Sequence, residues 1–154
     1  TNQDILSTFG SSVFTIVQST VTIIPTVLPT SIPTPTMIPS MSGFKGEYFN
    51  NKNFSGVPLL TRFDNAINFD WNYGSPATSI DPNTYSIRWT KNEVFSGGNY
   101  KFTTRHDDGM RLYIDGQLVY NRWKDQSASN RTFILPITAG NHTIRIDYYE
   151  NKGG

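Results

Sequence analysis

The sequence predicts a mainly β chain, with an antiparallel β-sandwich or barrel over residues 43–154. Three observations predict it. Apolar and polar residues alternate in Tyr85-Ser86-Ile87-Arg88-Trp89, Tyr100-Lys101-Phe102, Met110-Arg111-Leu112-Tyr113-Ile114 and Ile144-Arg145-Ile146-Asp147-Tyr148, the period of a half-buried strand. Turn formers separate these runs: Ser96-Gly97-Gly98-Asn99, Asp108-Gly109, Asp115-Gly116 and Ala139-Gly140-Asn141. Aromatic residues reach 14% against a hydrophobic total of 36%, so large rings must fill the core. Trp71, Trp89 and Trp123 are expected there. Ile114-Asp115-Gly116-Gln117 reads as a two-residue hairpin, since Asp-Gly accepts the positive φ angles that such a turn needs.

Two segments precede the β region. Over residues 1–24 the expectation is an amphipathic helix: at about 100° per residue, Ile5, Leu6, Phe9, Val13, Ile16, Val17, Ile23 and Ile24 share one face. Asn2 suits the N-cap and Asp4 the first turn. The alternative is a strand, because residues 13–24 are rich in Val, Ile and Thr. A lone apolar stripe needs a partner, so Ile5, Phe9, Val13, Ile16 and Val17 are the candidate assembly residues of a homo-oligomer or polymer. Residues 25–42 hold five prolines among Ser and Thr. They read as an extended polyproline-type stalk suited to O-glycosylation, or as a plain flexible linker.

Length and charge exclude several classes. The chain has 154 residues, room for one domain and an appendage, and a formal net charge of +1, which does not suggest nucleic acid. It has no cysteine, hence no disulfide and no thiolate metal site. It holds no apolar run long enough to span a membrane as a helix. Beginning at Thr1, it is expected to be processed or trimmed. His106 and His142 are the only histidines, too few for an imidazole metal cluster. Adjacent carboxylates do not easily flank a scissile bond across about 5 Å, so enzyme activity is not expected.

The adjacent acids Asp107 and Asp108 stand just before Gly109. One reading is a turn, since Asp side chains accept backbone hydrogen bonds there. The other is a cation site, because two side-by-side carboxylates repel until a cation joins them and calcium takes six to eight oxygens.

Residues 43–76, "GFKGEYFNNKNFSGVPLLTRFDNAINFDWNYGSP", 85–123, "YSIRWTKNEVFSGGNYKFTTRHDDGMRLYIDGQLVYNRW", and 135–154, "LPITAGNHTIRIDYYENKGG", resemble the PA14 domain in order and spacing. The resemblance implies an extracellular β-sandwich or barrel that binds carbohydrate or acts as a spacer. In the yeast adhesin branch of that family, an Asp pair joined by a cis peptide coordinates calcium, which grips sugar hydroxyls. Asp107 and Asp108 match the pair, and Asn151 in "YYENKGG" matches a third ligand from the loop after the last long strand. This chain lacks the long ligand-contacting insertions of the fungal branch. The family pattern normally continues with a further strand beyond this point, and residues 12–24 are β-prone enough to take its place. Residues 1–24 also resemble the C-terminal half of tight-adherence-type pilin helices, without the long apolar N-terminal half.

These features predict an extracellular, cell-surface structural or adhesive subunit. Its N-terminal segment would assemble, in the manner of a pilus filament, and its β module would face outward and bind glycans with calcium. The alternative is a calcium-dependent carbohydrate-binding module of a larger secreted glycosidase or toxin. Asn53, Asn130 and Asn141 each open an N-x-Ser/Thr sequon and are candidate N-glycosylation sites.

Overall fold

The computed structural model describes residues 43–152 in full and the backbone of residues 5–9 and 12–18. Eight strands run in the order β1 (Ile5–Phe9), β2 (Ser12–Gln18), β3 (Phe44–Phe49), β4 (Leu60–Asp64), β5 (Thr84–His106), β6 (Gly109–Ile114), β7 (Gln117–Arg122) and β8 (Ser129–Asn151). They form one sheet ordered β1-β2-β5-β8-β6-β7, with β3 pairing β4 and β5. Every pairing is antiparallel. Among the described residues no helix is long and apolar enough to cross a membrane.

Two of the expected turns are bends inside long strands. β5 and β8 each run 23 residues and pair from Thr84↔Asn151 to His106↔Ser129. Ser96-Gly97-Gly98-Asn99 lies within β5 and Ala139-Gly140-Asn141 within β8, facing each other through Phe95↔Gly140 and Ser96↔Ala139. Gly97, Gly98 and Gly140 have φ of 83°, 112° and 134°, a conformation that glycine adopts without a Cβ clash. The paired strands therefore bend together, and the sheet folds over itself. Tyr120 of β7 shows the closure. β6, its hairpin partner, pairs with β8 over Ile144–Tyr149, yet the Tyr120 ring stacks at 4.9 Å on Phe133 near the other end of β8. The Asp115-Gly116 hairpin forms as expected, with φ of 51° and 79° and Ile114 paired to Gln117.

The two-residue period sorts side chains into two faces. Tyr48, Ile87, Tyr148 and Met110 line up across β3, β5, β8 and β6, and all four are buried. The next row outward is Glu47, Arg88, Asp147 and Arg111. Trp89 is fully buried and Trp71 packs against the core. Trp123 departs from expectation: it lies in a half-buried aromatic group with Phe54 (5.8 Å) and Tyr149 (4.6 Å). It stands just beyond the end of β7, with the Arg111 guanidinium over its ring.

Of the two readings of residues 1–24, the strand is the one taken by the described stretches, and the rest of the segment lies outside the described residues. Ile5–Phe9 and Ser12–Gln18 are strands, and β2 lies along β5 with Ile16↔Phe102 and Val17↔Lys101. β-branched residues are stiff in a helix, and the edge of β5 offers backbone partners. The candidate assembly residues Ile5, Phe9, Val13, Ile16 and Val17 thus fall on two strands. Residues 19–42, with the expected stalk, lie outside the described residues.

Candidate metal centre

Asp107 and Asp108 occupy the connection between β5 and β6, and the peptide bond joining them is cis. β8 returns beside them because it pairs with both strands. Its residue Glu150 brings a third carboxylate, and one oxygen from each of Asp107, Asp108 and Glu150 lies within 4.8 Å of the others. Glu150 was not legible in the sequence. It sits 42 positions beyond Asp108 and meets the pair through the β6–β8 register, which sets Gly109 against Tyr149.

The acids are held by backbone amides. Asp108 accepts from Gln126 N at Oδ1 and from Asn151 N at Oδ2, both at 2.8 Å. Asp107 Oδ2 accepts from Ala128 N at 2.9 Å. The segment from Asp125 to Ala128 is thereby pinned over the pair. The turn reading is thus fulfilled in part, and these bonds also aim the carboxylates at one another. Asn151 is brought to the centre, although through its backbone, while its side-chain amide donates to Asp125 at 2.7 Å. Asp125 also accepts from the Tyr149 hydroxyl at 2.6 Å, which together with Asn151 holds its carboxyl below the usual range.

Burial raises the pKa of all three clustered acids. Asp107 and Asp108 are shifted upward by desolvation, and Asp108 further by the charges of Asp107 and Asp125. Glu150 is pushed up to about 7, first by burial and then by Asp108 and Asp107. The Tyr148 hydroxyl lies between the Asp107 carbonyl and Glu150 Oε2. One hydroxyl proton cannot serve both oxygens at once. A divalent cation would offset the mutual repulsion of Asp108, Asp107 and Glu150.

The histidines take separate roles. His106 is fully buried, with Nδ1 at 2.7 Å from the Asp108 carbonyl and Nε2 at 3.0 Å from the Tyr120 hydroxyl. Burial holds its imidazole below the ordinary range. It shores up the acidic pair from beneath. His142 is remote, at the far end of β6. Its Nδ1 lies 2.6 Å from Asp115 Oδ2 and its Nε2 3.0 Å from the Thr138 carbonyl. Two acceptor oxygens favour the imidazolium, and the Asp115 hydrogen bond raises the pKa of His142. Asp115 is held low, first by the Thr143 amide and then by His142.

The sign of the resulting pH dependence follows. The raised His142 contributes stability that is complete below about pH 6.5, its unfolded value, and is lost as pH rises through the folded value. The lowered Asp115 contributes above about pH 3.9 and loses it as pH falls through its folded value. Proton NMR of the two imidazole rings should show His142 titrating above the ordinary range. Asp115→Asn should return it to that range and leave His106 unmoved. An unchanged His142 titration in the variant would remove Asp115 as the cause.

Asn53, Asn130 and Asn141 are all exposed.

Fold and site together define an antiparallel β domain whose titratable chemistry is concentrated where β5, β6 and β8 meet. A family model described as the PA14 domain matches residues 40–154. The chain belongs to that family. Among curated relatives, the anti-sigma-I factor RsgI3 of Acetivibrio thermocellus is 43% identical over 112 residues, covering 71% of this chain and 17% of the relative. An alpha-agarase of Alteromonas agarilytica is 32% identical over 115 residues, covering 62% of this chain and 8% of the enzyme. A solved structure of an anti-sigma factor domain-containing protein superposes with a TM-score of 0.65 at 40% identity, covering 73% of this chain and 40% of that one. The chain thus corresponds to a small part of the curated relatives it matches.

Proposed function

We propose that this domain is an extracellular, non-catalytic module that binds calcium at Asp107, Asp108 and Glu150, with Asn151 adjoining, and through the ion binds a carbohydrate. The convergence of three buried-edge carboxylates carries the reading. Backbone amides hold the acids in place; burial raises all three, and neighbouring carboxylates raise Asp108 and Glu150 further, which a cation would offset. The similarity to a small segment of RsgI3 and of an alpha-agarase favours a module carried within a longer protein. An enzyme named for a polysaccharide fits a carbohydrate ligand. A pilus-like assembly through residues 1–24 has less support, since the described stretches of that segment pair within the sheet.

Calcium at about 100 times its dissociation constant should stabilise the domain by roughly 2.7 kcal/mol. Thermal melts with and without calcium measure this, and Asp108→Ala should abolish it. Glycan-array binding should then require calcium. An unchanged melting temperature on adding calcium to the wild type would leave Asp107 and Asp108 as turn residues only.

A further inference from the structure

The outward face of the sheet carries a second concentration of charge, of the opposite sign. Arg88 on β5, Asp147 on β8 and Arg111 on β6 stand side by side, and Arg145 lies two residues along β8. Asp147 is 2% exposed. It takes a two-pronged pair from Arg88, Nε to Oδ1 at 2.8 Å and Nη2 to Oδ2 at 3.1 Å, while Arg145 Nε stands 3.5 Å from Oδ1. Arg88 and Arg145 share the one carboxylate and Arg111 stands beside it in the register, which leaves a local excess of two positive charges. Glu47, the next acid on this face, is paired with Lys45 at 2.6 Å, and Asp125 at the face's edge is engaged by Tyr149 and Asn151.

Each guanidinium lies on an aromatic ring: Arg88 at 4.4 Å from the Phe54 centroid, Arg111 at 4.3 Å from Trp123 and Arg145 at 3.7 Å from Tyr113. Stacking fixes the plane of the fork and leaves its N–H edges for an acceptor. Arg111 Nε and Arg145 Nε are buried and have no hydrogen-bond acceptor among the described residues. Asn121 and Thr90 extend the same rows with polar groups suited to hydroxyls.

We infer that this face binds a polysaccharide bearing anionic groups, carboxylate or sulfate, with Arg111 and Arg145 as the principal anion contacts. Planar forks match such oxyanions in two-pronged fashion. Arg88 and Arg111 are two strand spacings apart, about 10 Å, comparable to the repeat of two linked hexoses. This surface acts without the metal and is separate from the acidic centre.

Affinity electrophoresis in EDTA, with polygalacturonate, dextran sulfate, neutral dextran or polyglutamate in the gel, tests the inference. EDTA keeps its outcome distinct from that of the calcium reading. The expected result is retardation by polygalacturonate, dextran sulfate or both, at least about tenfold stronger than by neutral dextran, and weakened by added salt as surface charge pairing requires. Retardation by one anionic polymer alone identifies carboxylate or sulfate as the preferred group. Arg111→Gln should weaken it about tenfold, since a two-pronged, charge-assisted contact is lost, with the domain still folded, because Arg111 has no carboxylate partner of its own and gives up only its stacking on Trp123. The inference is overturned if neither anionic polymer retards the protein, if neutral dextran does so equally, or if retardation is insensitive to salt. Equal retardation by polyglutamate, or an Arg111→Gln variant that binds as wild type, overturns it as well.

Discussion

Asp64→Ala is expected to destabilise the domain by about 3–5 kcal/mol, the cost of stripping a buried charged network of one partner. Asp64 is 7% exposed. Its Oδ2 accepts from the Tyr48 hydroxyl at 2.5 Å and from Trp89 Nε1 at 2.7 Å, and its Oδ1 accepts from Arg62 Nε at 2.7 Å. Burial and the neighbouring carboxylate hold the Tyr48 phenol well above its ordinary range, so it remains a donor. Alanine would leave a phenol, an indole N–H and a guanidinium facing a void. Tyr48→Phe removes one donor and should cost about 1 kcal/mol. Urea denaturation of the two variants checks the contrast. An Asp64→Ala loss no greater than that of Tyr48→Phe would show that Asp64 does not organise the group. The effect should reach the acidic cluster, because Trp89 packs 6.2 Å from Tyr148, whose hydroxyl meets Asp107 and Glu150.

Gly109→Ala should cost about 3 kcal/mol, at the upper end of the range for overpacking. A Cβ at this position would sit 2.0 Å from Tyr149 Cε1 and 2.7 Å from Cδ1. The ring cannot simply step aside, since Trp123 packs against it at 4.6 Å and its hydroxyl is tied to Asp125. Either the ring or the start of β6 must shift, and Asp108 is the preceding residue. On the proposed calcium reading, the stabilisation by calcium should weaken along with the fold. A double-mutant cycle with Tyr149→Ala isolates the clash: in that background, Gly109→Ala should cost much less. Equal costs in the two backgrounds would place the damage elsewhere.

The glycine before Tyr149's ring illustrates how far the sequence could be read. "DDG" was legible as a turn and as a candidate cation site, because adjacent like charges beside glycine are a local feature. The reason that the glycine admits no side chain lies 40 residues away in β8, and only the β6–β8 pairing reveals it. Separation along the chain likewise hid Glu150, 42 positions beyond Asp108, and Asp125, 17 positions beyond it.

By itself the sequence determined the β class, the two faces of the strands and the Asp115-Gly116 hairpin. These rest on interactions between near neighbours: a two-residue side-chain period and turn residues that accept positive φ. Tertiary structure alone decided that Gly97, Gly98 and Gly140 serve a shared bend, not turns, since a glycine signals a change of direction without saying whether the partner strand bends with it. It decided that Trp123 faces outward, and that the described stretches of residues 5–18 are strands. It also brought three carboxylates to one point and three arginines around one aspartate. Those groupings depend on which strands pair and in what register, and that choice is made by burial across the whole sheet, not by any short stretch of chain.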